Sequence, residues 1–138
     1  MPDLPLLIEP ENLEDSLAYE NVLIVDLSKP DTYAKLHIPG AVHLDYVKIV
    51  TGKKPVMGLV PDDAVLTSLF SALGIDADTH VVAYDDEGGG RAARLCWTLE
   101  VAGHQHYSLL NGGLHSWANE GHSTEATPIP ATAKTFQL

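Results

Sequence analysis

The sequence predicts an α/β fold in which a central parallel sheet is flanked by helices on both faces. Three observations carry that expectation. Val22–Asp26 (VLIVD) and His80–Tyr84 (HVVAY) are short, nearly all-apolar runs, as expected of strands covered on both sides. Short β-rich runs alternate with stretches of helical spacing along the whole chain, and that alternation calls for a parallel-type sheet. Between His80–Tyr84 and an apolar helical stretch lies a glycine-rich loop, at the carboxyl end of a strand, where sheets of this kind gather their sites.

Taken in order, Leu6–Ile8 is a short strand, and Pro10–Tyr19 is helical with its proline near the first turn. Val22–Asp26 is the next strand, and Lys29–Leu36 is a short helix that tolerates Pro30 in its first turn. Gly40 breaks the chain before a short strand at Ala41–Leu44. Residues 51–60 (TGKKPVMGLV) read as a loop. Pro61-Asp62-Asp63 then opens a helix, with proline in its first turn and two acids facing the positive end of the dipole. Leu66, Leu69, Phe70 and Leu73 recur along it at helical spacing, and Gly74 ends it. His80–Tyr84 is the central strand, Arg91–Ala102 the helix after the glycine loop, and Tyr107–Leu110 a further strand. Asn111-Gly112-Gly113 turns into a short helix through Trp117, stopped by Gly121.

Composition narrows the function. The 138 residues suit one domain with a substantial core, and 45% hydrophobic against 20% charged residues indicates a globular chain. A formal net charge of −11 argues against nucleic acid and anionic membranes as partners. The longest apolar runs fall far short of the roughly 20 residues that cross a bilayer. The first fifteen residues carry no basic side chain and no signal-like apolar core, so the cytoplasm is the expected location. Cys96 is the sole cysteine, and no Cys/His spacing suits zinc; no metal or other cofactor is expected. Residues 1–122 form the domain. The tail 123–138 (STEATPIPATAKTFQL) loses helical and strand pattern and reads as a linker or an extended arm.

The loop Asp85-Asp86-Glu87-Gly88-Gly89-Gly90-Arg91 is where chemistry is expected. A strand that feeds three glycines into a helix leaves several backbone N–H groups pointing inward at the positive end of the dipole. Such a cradle suits a thiolate, a phosphate, a sulfur oxyanion or a carboxylate, and Arg91 or Arg94 adds charge. A P-loop requires Lys-Ser/Thr where this chain has Arg-Ala, and a dinucleotide fingerprint belongs after the first strand of its unit. A cysteine phosphatase or sulfurtransferase loop requires a cysteine directly after the strand. That position holds Asp85.

Four segments together resemble a rhodanese domain, and within that family the first half of a tandem thiosulfate sulfurtransferase. LIVDLSKPDTYAKLHIPGAVHLD resembles the early signature, in which an Asp ends a strand and a His-Ile-Pro-Gly-Ala turn follows. VVAYDDEGGGRAARLCW resembles the loop that carries Asp in the first domain and Cys in the second. AGHQHYSLLNGGLHSW resembles the closing strand, turn and tryptophan-bearing helix, and PIPATAKTF resembles the linker between the halves. The resemblance implies transfer of a sulfane sulfur from thiosulfate to a thiophilic acceptor such as cyanide, through a cysteine persulfide. It also implies a second, catalytic rhodanese domain as partner, through which alone this half meets the small sulfur donor. Asp85 stands where the family's nucleophilic cysteine would be, and the loop to Arg91 is about one residue longer than the active one. A carboxylate forms no persulfide, so no residue of this chain is expected to be catalytic. Asp85 is expected instead to fill the cradle by accepting its N–H groups.

Other assignments compete with these. Cys96, inside an apolar helix with no activating base nearby, is a packing residue rather than a second nucleophile. Asp85, Asp86 and Glu87 could approach a metal, but three successive carboxylates rarely aim at one ion. His37 and His43 bracket the Pro39-Gly40 turn in structural roles, while His104, His106, His115 and His122 lack ligand spacing. Asp26 is expected to fix the loop after its strand, ahead of Ser28. Arg91 and Arg94, about a turn apart, share a helix face. One would pair with a loop carboxylate, and the other would meet a partner or an anion. Trp97 and Trp117 are core or interface aromatics. A stand-alone binding module built on the same fold is the alternative to the half-enzyme.

Overall fold

The structure is a computed structural model that describes residues 4–53 and 56–137. Five strands form one parallel sheet: β1 (Leu7–Ile8), β2 (Val22–Asp26), β3 (Val42–His43), β6 (His80–Tyr84) and β7 (Tyr107–Leu110), in spatial order β1-β7-β6-β2-β3. All four pairings are parallel, and Val22–Asp26 of β2 runs in register with His80–Tyr84 of β6. The sheet therefore needs crossovers, which α1 (Pro10–Ser16), α2 (Pro30–Lys35), α3 (Asp63–Leu73), α4 (Gly90–Val101) and α5 (Gly113–Asn119) supply or close.

Period-2 alternation along β6 divides the core in two. Val81 and Ala83 face a cluster with Phe70, Leu73, Leu95 and Leu99 from α3 and α4. Val82 and Tyr84 face Leu13, Leu114 and Trp117 from α1 and α5. Because both faces are covered, β6 is buried along its whole length, which explains why its run is nearly all apolar.

The ends of the helices are set locally. Asp62 Oδ1 accepts the Val65 N–H at 3.0 Å, so Asp62 caps α3 and Pro61 falls just outside the helix rather than in its first turn. Helix α1 stops at Ser16, where Ser16 Oγ donates to the Asn12 carbonyl and Leu17 N–H tightens to Glu14 O. The stretch 51–60, expected to be a loop, is corrected by the structure. Thr51–Lys53 (β4) and Val56–Leu59 (β5) pair antiparallel in a separate two-stranded ribbon, with residues 54 and 55 outside the described residues. The ribbon lies outside the main sheet, and its glycines diluted the alternation that signals a strand.

Residues 126–137 carry no regular element, yet the arm is fastened to the domain at intervals. Glu125 exchanges both backbone hydrogen bonds with His37, and its side chain accepts the Gly40 N–H at 2.9 Å. Ile129 N–H donates to Tyr33 Oη. Thr132 O approaches Gly74 so closely that a Cβ there would meet it at 2.6 Å. Lys134 and Phe136 N–H groups donate to the carbonyl and hydroxyl of Ser71, and the Phe136 ring is buried edge-on against Phe70. Phe136→Ala is expected to cost about 3 kcal/mol in urea unfolding, the cost of emptying a buried aromatic site. An unchanged midpoint would mean that the arm adds nothing to the fold.

Candidate functional site

Tyr84 ends β6, and the loop from Asp85 to Gly89 carries the chain into α4. Gly88 and Gly89 take φ of +92° and +97°, in the left-handed region that side chains avoid, and this folds the loop back over the helix start. The curl points backbone N–H groups at the Asp85 side chain. Asp85 Oδ1 accepts Glu87 N–H and Gly89 N–H, and Oδ2 accepts Ala92 N–H, each at 2.9 Å. Asp85 is 1% exposed, so its carboxylate sits inside the domain among the first donors of α4. Behind it, Leu114 N–H donates to Asp85 O, and Gly113 lies so near that a Cβ would meet this carbonyl at 2.6 Å.

The three consecutive acids diverge. Asp85 turns inward, while Glu87 turns outward to Lys29 Nζ at 2.8 Å and Arg91 Nε at 3.4 Å. The Asp86 carbonyl accepts from His115 Nε2 at 3.0 Å. Among the described residues, no group of three or more His, Cys, Asp or Glu could hold a metal ion. Arg91 therefore serves the loop, with its guanidinium also over the Tyr46 ring at 5.3 Å. Arg94 lies over the Trp97 ring at 4.9 Å.

Asp26 ends β2 beside Tyr84 and is fully buried. Its Oδ1 accepts Ser28 N–H at 2.7 Å and its Oδ2 accepts the Tyr84 hydroxyl, which in turn accepts Ile38 N–H at 3.0 Å. One buried chain of hydrogen bonds thus ties the ends of both central strands to the His-Ile-Pro-Gly turn. Burial pushes the Asp26 carboxyl above its ordinary value, against the Tyr84 and Ser28 hydrogen bonds that lower it. Burial likewise raises the Tyr84 phenol, with the Asp26 charge adding to it. Neither Tyr84 nor Lys29 stood out in the sequence as a site residue. Both lie at the carboxyl ends of the two central strands, and that position was the available signal.

Cys96 lies one turn beyond Ala92 on α4, against β7, with its thiol turned to Ser108 rather than to the Asp85 loop. It is buried, its thiol pushed up to about 12 by desolvation, and its Sγ is 3.9 Å from Ser108 O. Trp117 is in the core with Nε1–H donating to Ser123 O, whereas Trp97 is 48% exposed. No helix among the described residues is long and apolar enough to cross a membrane.

A five-stranded parallel sheet, covered on both sides and carrying a curled strand-to-helix loop beyond its central strand, matches one family over most of its length. Residues 9–120 match the rhodanese-like domain. The chain belongs to the rhodanese-like family. This rhodanese-like domain is 44% identical over 129 residues to the thiosulfate sulfurtransferase of Pseudomonas aeruginosa, covering 94% of this chain and 47% of that protein. It is 43% identical over 129 residues to that of Azotobacter vinelandii, covering 93% and 48%. The chain thus spans about half the length of these relatives. Among solved structures, the 3-mercaptopyruvate sulfurtransferase of Leishmania major superposes with a TM-score of 0.77 at 27% identity, over 99% of this chain and 41% of that one. The 3-mercaptopyruvate sulfotransferase of Escherichia coli shares the fold, with a TM-score of 0.85 at 22% identity over 96% and 55%.

Proposed function

We propose that this rhodanese-like domain is the N-terminal, non-catalytic half of a tandem thiosulfate sulfurtransferase. The observation that carries the reading is the Asp85 carboxylate held by three N–H groups at the head of α4. Those donors are the ones that would stabilise a thiolate or persulfide, and here a side chain of the domain itself occupies them. Oxygen cannot take up sulfane sulfur reversibly as a thiolate does, so the cradle is a structural element. Coverage of about half the length of both bacterial thiosulfate sulfurtransferases supports a second domain as its partner.

In the complete protein, the partner domain would supply the cysteine. Its thiolate attacks the outer sulfur of thiosulfate, the sulfur–sulfur bond of thiosulfate breaks, sulfite leaves, and the persulfide passes its sulfur to a thiophile such as cyanide. The half described here would act as a scaffold that shapes access to that cysteine. The test is to incubate the purified chain with thiosulfate and cyanide and follow thiocyanate, with Cys96→Ser in parallel. No thiocyanate is expected from either protein. Product from the parent that disappears in Cys96→Ser would overturn the reading and make Cys96 a sulfur carrier.

A further inference from the structure

Helix α4 buries one side in the domain, through Ala92, Leu95, Cys96 and Leu99, and leaves apolar side chains on the other. Ala93, Trp97 and Val101 follow one another at four-residue spacing, so they form one ridge, and all three are exposed. Trp97 is 48% and Val101 55% in water. Beside this ridge lies an apolar groove of about 360 Å³, lined by Cys96, Trp97, Tyr107 and Leu109 and, toward the edge strand β1, by the exposed Leu6 and Leu7. An apolar surface of this extent marks a place of contact with another molecule.

The charges around the ridge are balanced, in a chain that is not. Among the described α-helices α4 alone holds more basic than acidic residues, two arginines against one glutamate. Arg94, with its guanidinium over the Trp97 ring at 4.9 Å, stands three residues before Trp97. Glu100, which accepts the Tyr107 hydroxyl at 2.9 Å, stands three residues after it. One surface thus bears a projecting ring, a groove next to it, a cation and an anion, with the two charges spaced evenly about residue 97.

We infer that this face of α4 pairs with the same face of a second copy of the chain, about a two-fold axis passing beside Trp97. Such an axis sets Arg94 of each copy against Glu100 of the other, and the small Ala93 against the branched Val101. Ridges of i, i+4 residues interdigitate in the commonest class of helix packing. Each Trp97 ring faces the other copy's groove, so one patch supplies both knob and hole, as a closed, isologous dimer requires. The net charge of −11 opposes approach from a distance. Salt screens that repulsion over about 8 Å, while the joined faces bring opposite signs together. The pairing uses residues of this chain alone and does not depend on the tandem reading.

Sedimentation velocity from about 1 to about 300 µM tests the pairing. A monomer–dimer transition is expected in the micromolar range, with no larger species. Arg94→Glu and Glu100→Arg should each weaken the dimer about tenfold, because each sets like charges together on both sides of the axis. The double variant should recover it, and Trp97→Ala should leave a monomer throughout. None of the three residues is buried, and circular dichroism matching the parent's checks the fold of each variant. Acrylamide quenching reads the same pairing without any substitution. Trp117 is fully buried, so the quenched signal is that of Trp97, and it should fall as the parent's concentration rises. A parent that stays monomeric over the whole range would overturn the inference. A dimer untouched by all three single substitutions would assign association to another surface and overturn it too. Species larger than a dimer would mean an open, head-to-tail contact in place of the two-fold. Weakening by both charge reversals without recovery in the double variant would rule out the pairing of Arg94 with Glu100.

Discussion

Asp85→Cys is expected to give this domain a persulfide-forming thiol. The cradle that holds the carboxylate consists of the Glu87, Gly89 and Ala92 N–H groups at the start of α4, buried and fixed by the left-handed Gly88-Gly89 curl. With the carboxylate gone, these donors and the helix dipole converge on the sulfur. A thiol in such a place has its pKa drawn from about 8.5 down to about 4–7. Alkylation by iodoacetamide at neutral pH would then modify residue 85 rapidly, while Cys96, with its thiol pushed up to about 12, stays unmodified. On incubation with thiosulfate, intact-protein mass spectrometry should show one added sulfur atom, removed by cyanide as thiocyanate. Asp85→Ser is the control and should gain nothing. A cysteine at 85 that alkylates rapidly yet never takes up sulfur would show that the cradle activates a thiolate without admitting the donor.

The second large effect is on stability, at Tyr84. Its hydroxyl is the middle link between the buried Asp26 carboxyl and the Ile38 N–H. Tyr84→Phe removes the donor that Asp26 Oδ2 uses and the acceptor that Ile38 uses, leaving both buried and unpaired. At roughly 1–3 kcal/mol for each unsatisfied group, the loss in urea unfolding should be about 3 kcal/mol. The penalty should also depend on pH. Burial raises the folded-state pKa of Asp26 above the model-peptide value of 3.8. A group raised in this way contributes its full stability below its unfolded pKa, and that stability is lost as pH climbs through the folded pKa. Each unit of difference costs about 1.4 kcal/mol once the group is ionised. The Tyr84 hydrogen bond works against this rise. Tyr84→Phe should therefore widen the window over which stability falls with increasing pH, and Asp26→Asn should remove the Asp26 part of that fall. Unfolding midpoints from about pH 4 to about pH 8 test this. Parallel curves for the parent and Asp26→Asn would show that Asp26 titrates in the fold as it does in the unfolded chain.

Most elements of the fold were legible because they follow from short-range rules. Val22–Asp26 and His80–Tyr84 are the central strands of a sheet covered on both faces, so their runs are nearly all apolar. Asp62 and Gly74 bound α3 because a capping carboxylate and a left-handed C-terminus are local requirements. The ribbon at Thr51–Lys53 and Val56–Leu59 was missed because it pairs outside the main sheet, in a glycine-bearing stretch with weak alternation. The loop residues Asp85 to Arg91 were legible as a cradle from the glycines and the strand before them. Their separate directions were not, since the inward turn of Asp85 and the outward turn of Glu87 to Lys29 depend on which donors surround each carboxylate.

The sequence by itself determined the α/β class, the strand order in time, the loop at the head of α4 and the absence of a cysteine directly after the central strand. Each of these lies in the identity and spacing of residues close together in the chain. Only the tertiary structure decided that Asp26 and Tyr84, 58 positions apart, share a buried hydrogen bond. It alone decided that Glu125 holds the turn at Gly40, 85 positions away, and that Phe136 completes the core over Phe70. Local pattern records what a residue needs around it, burial or a hydrogen-bond partner, whereas the partner itself is chosen when distant segments pack.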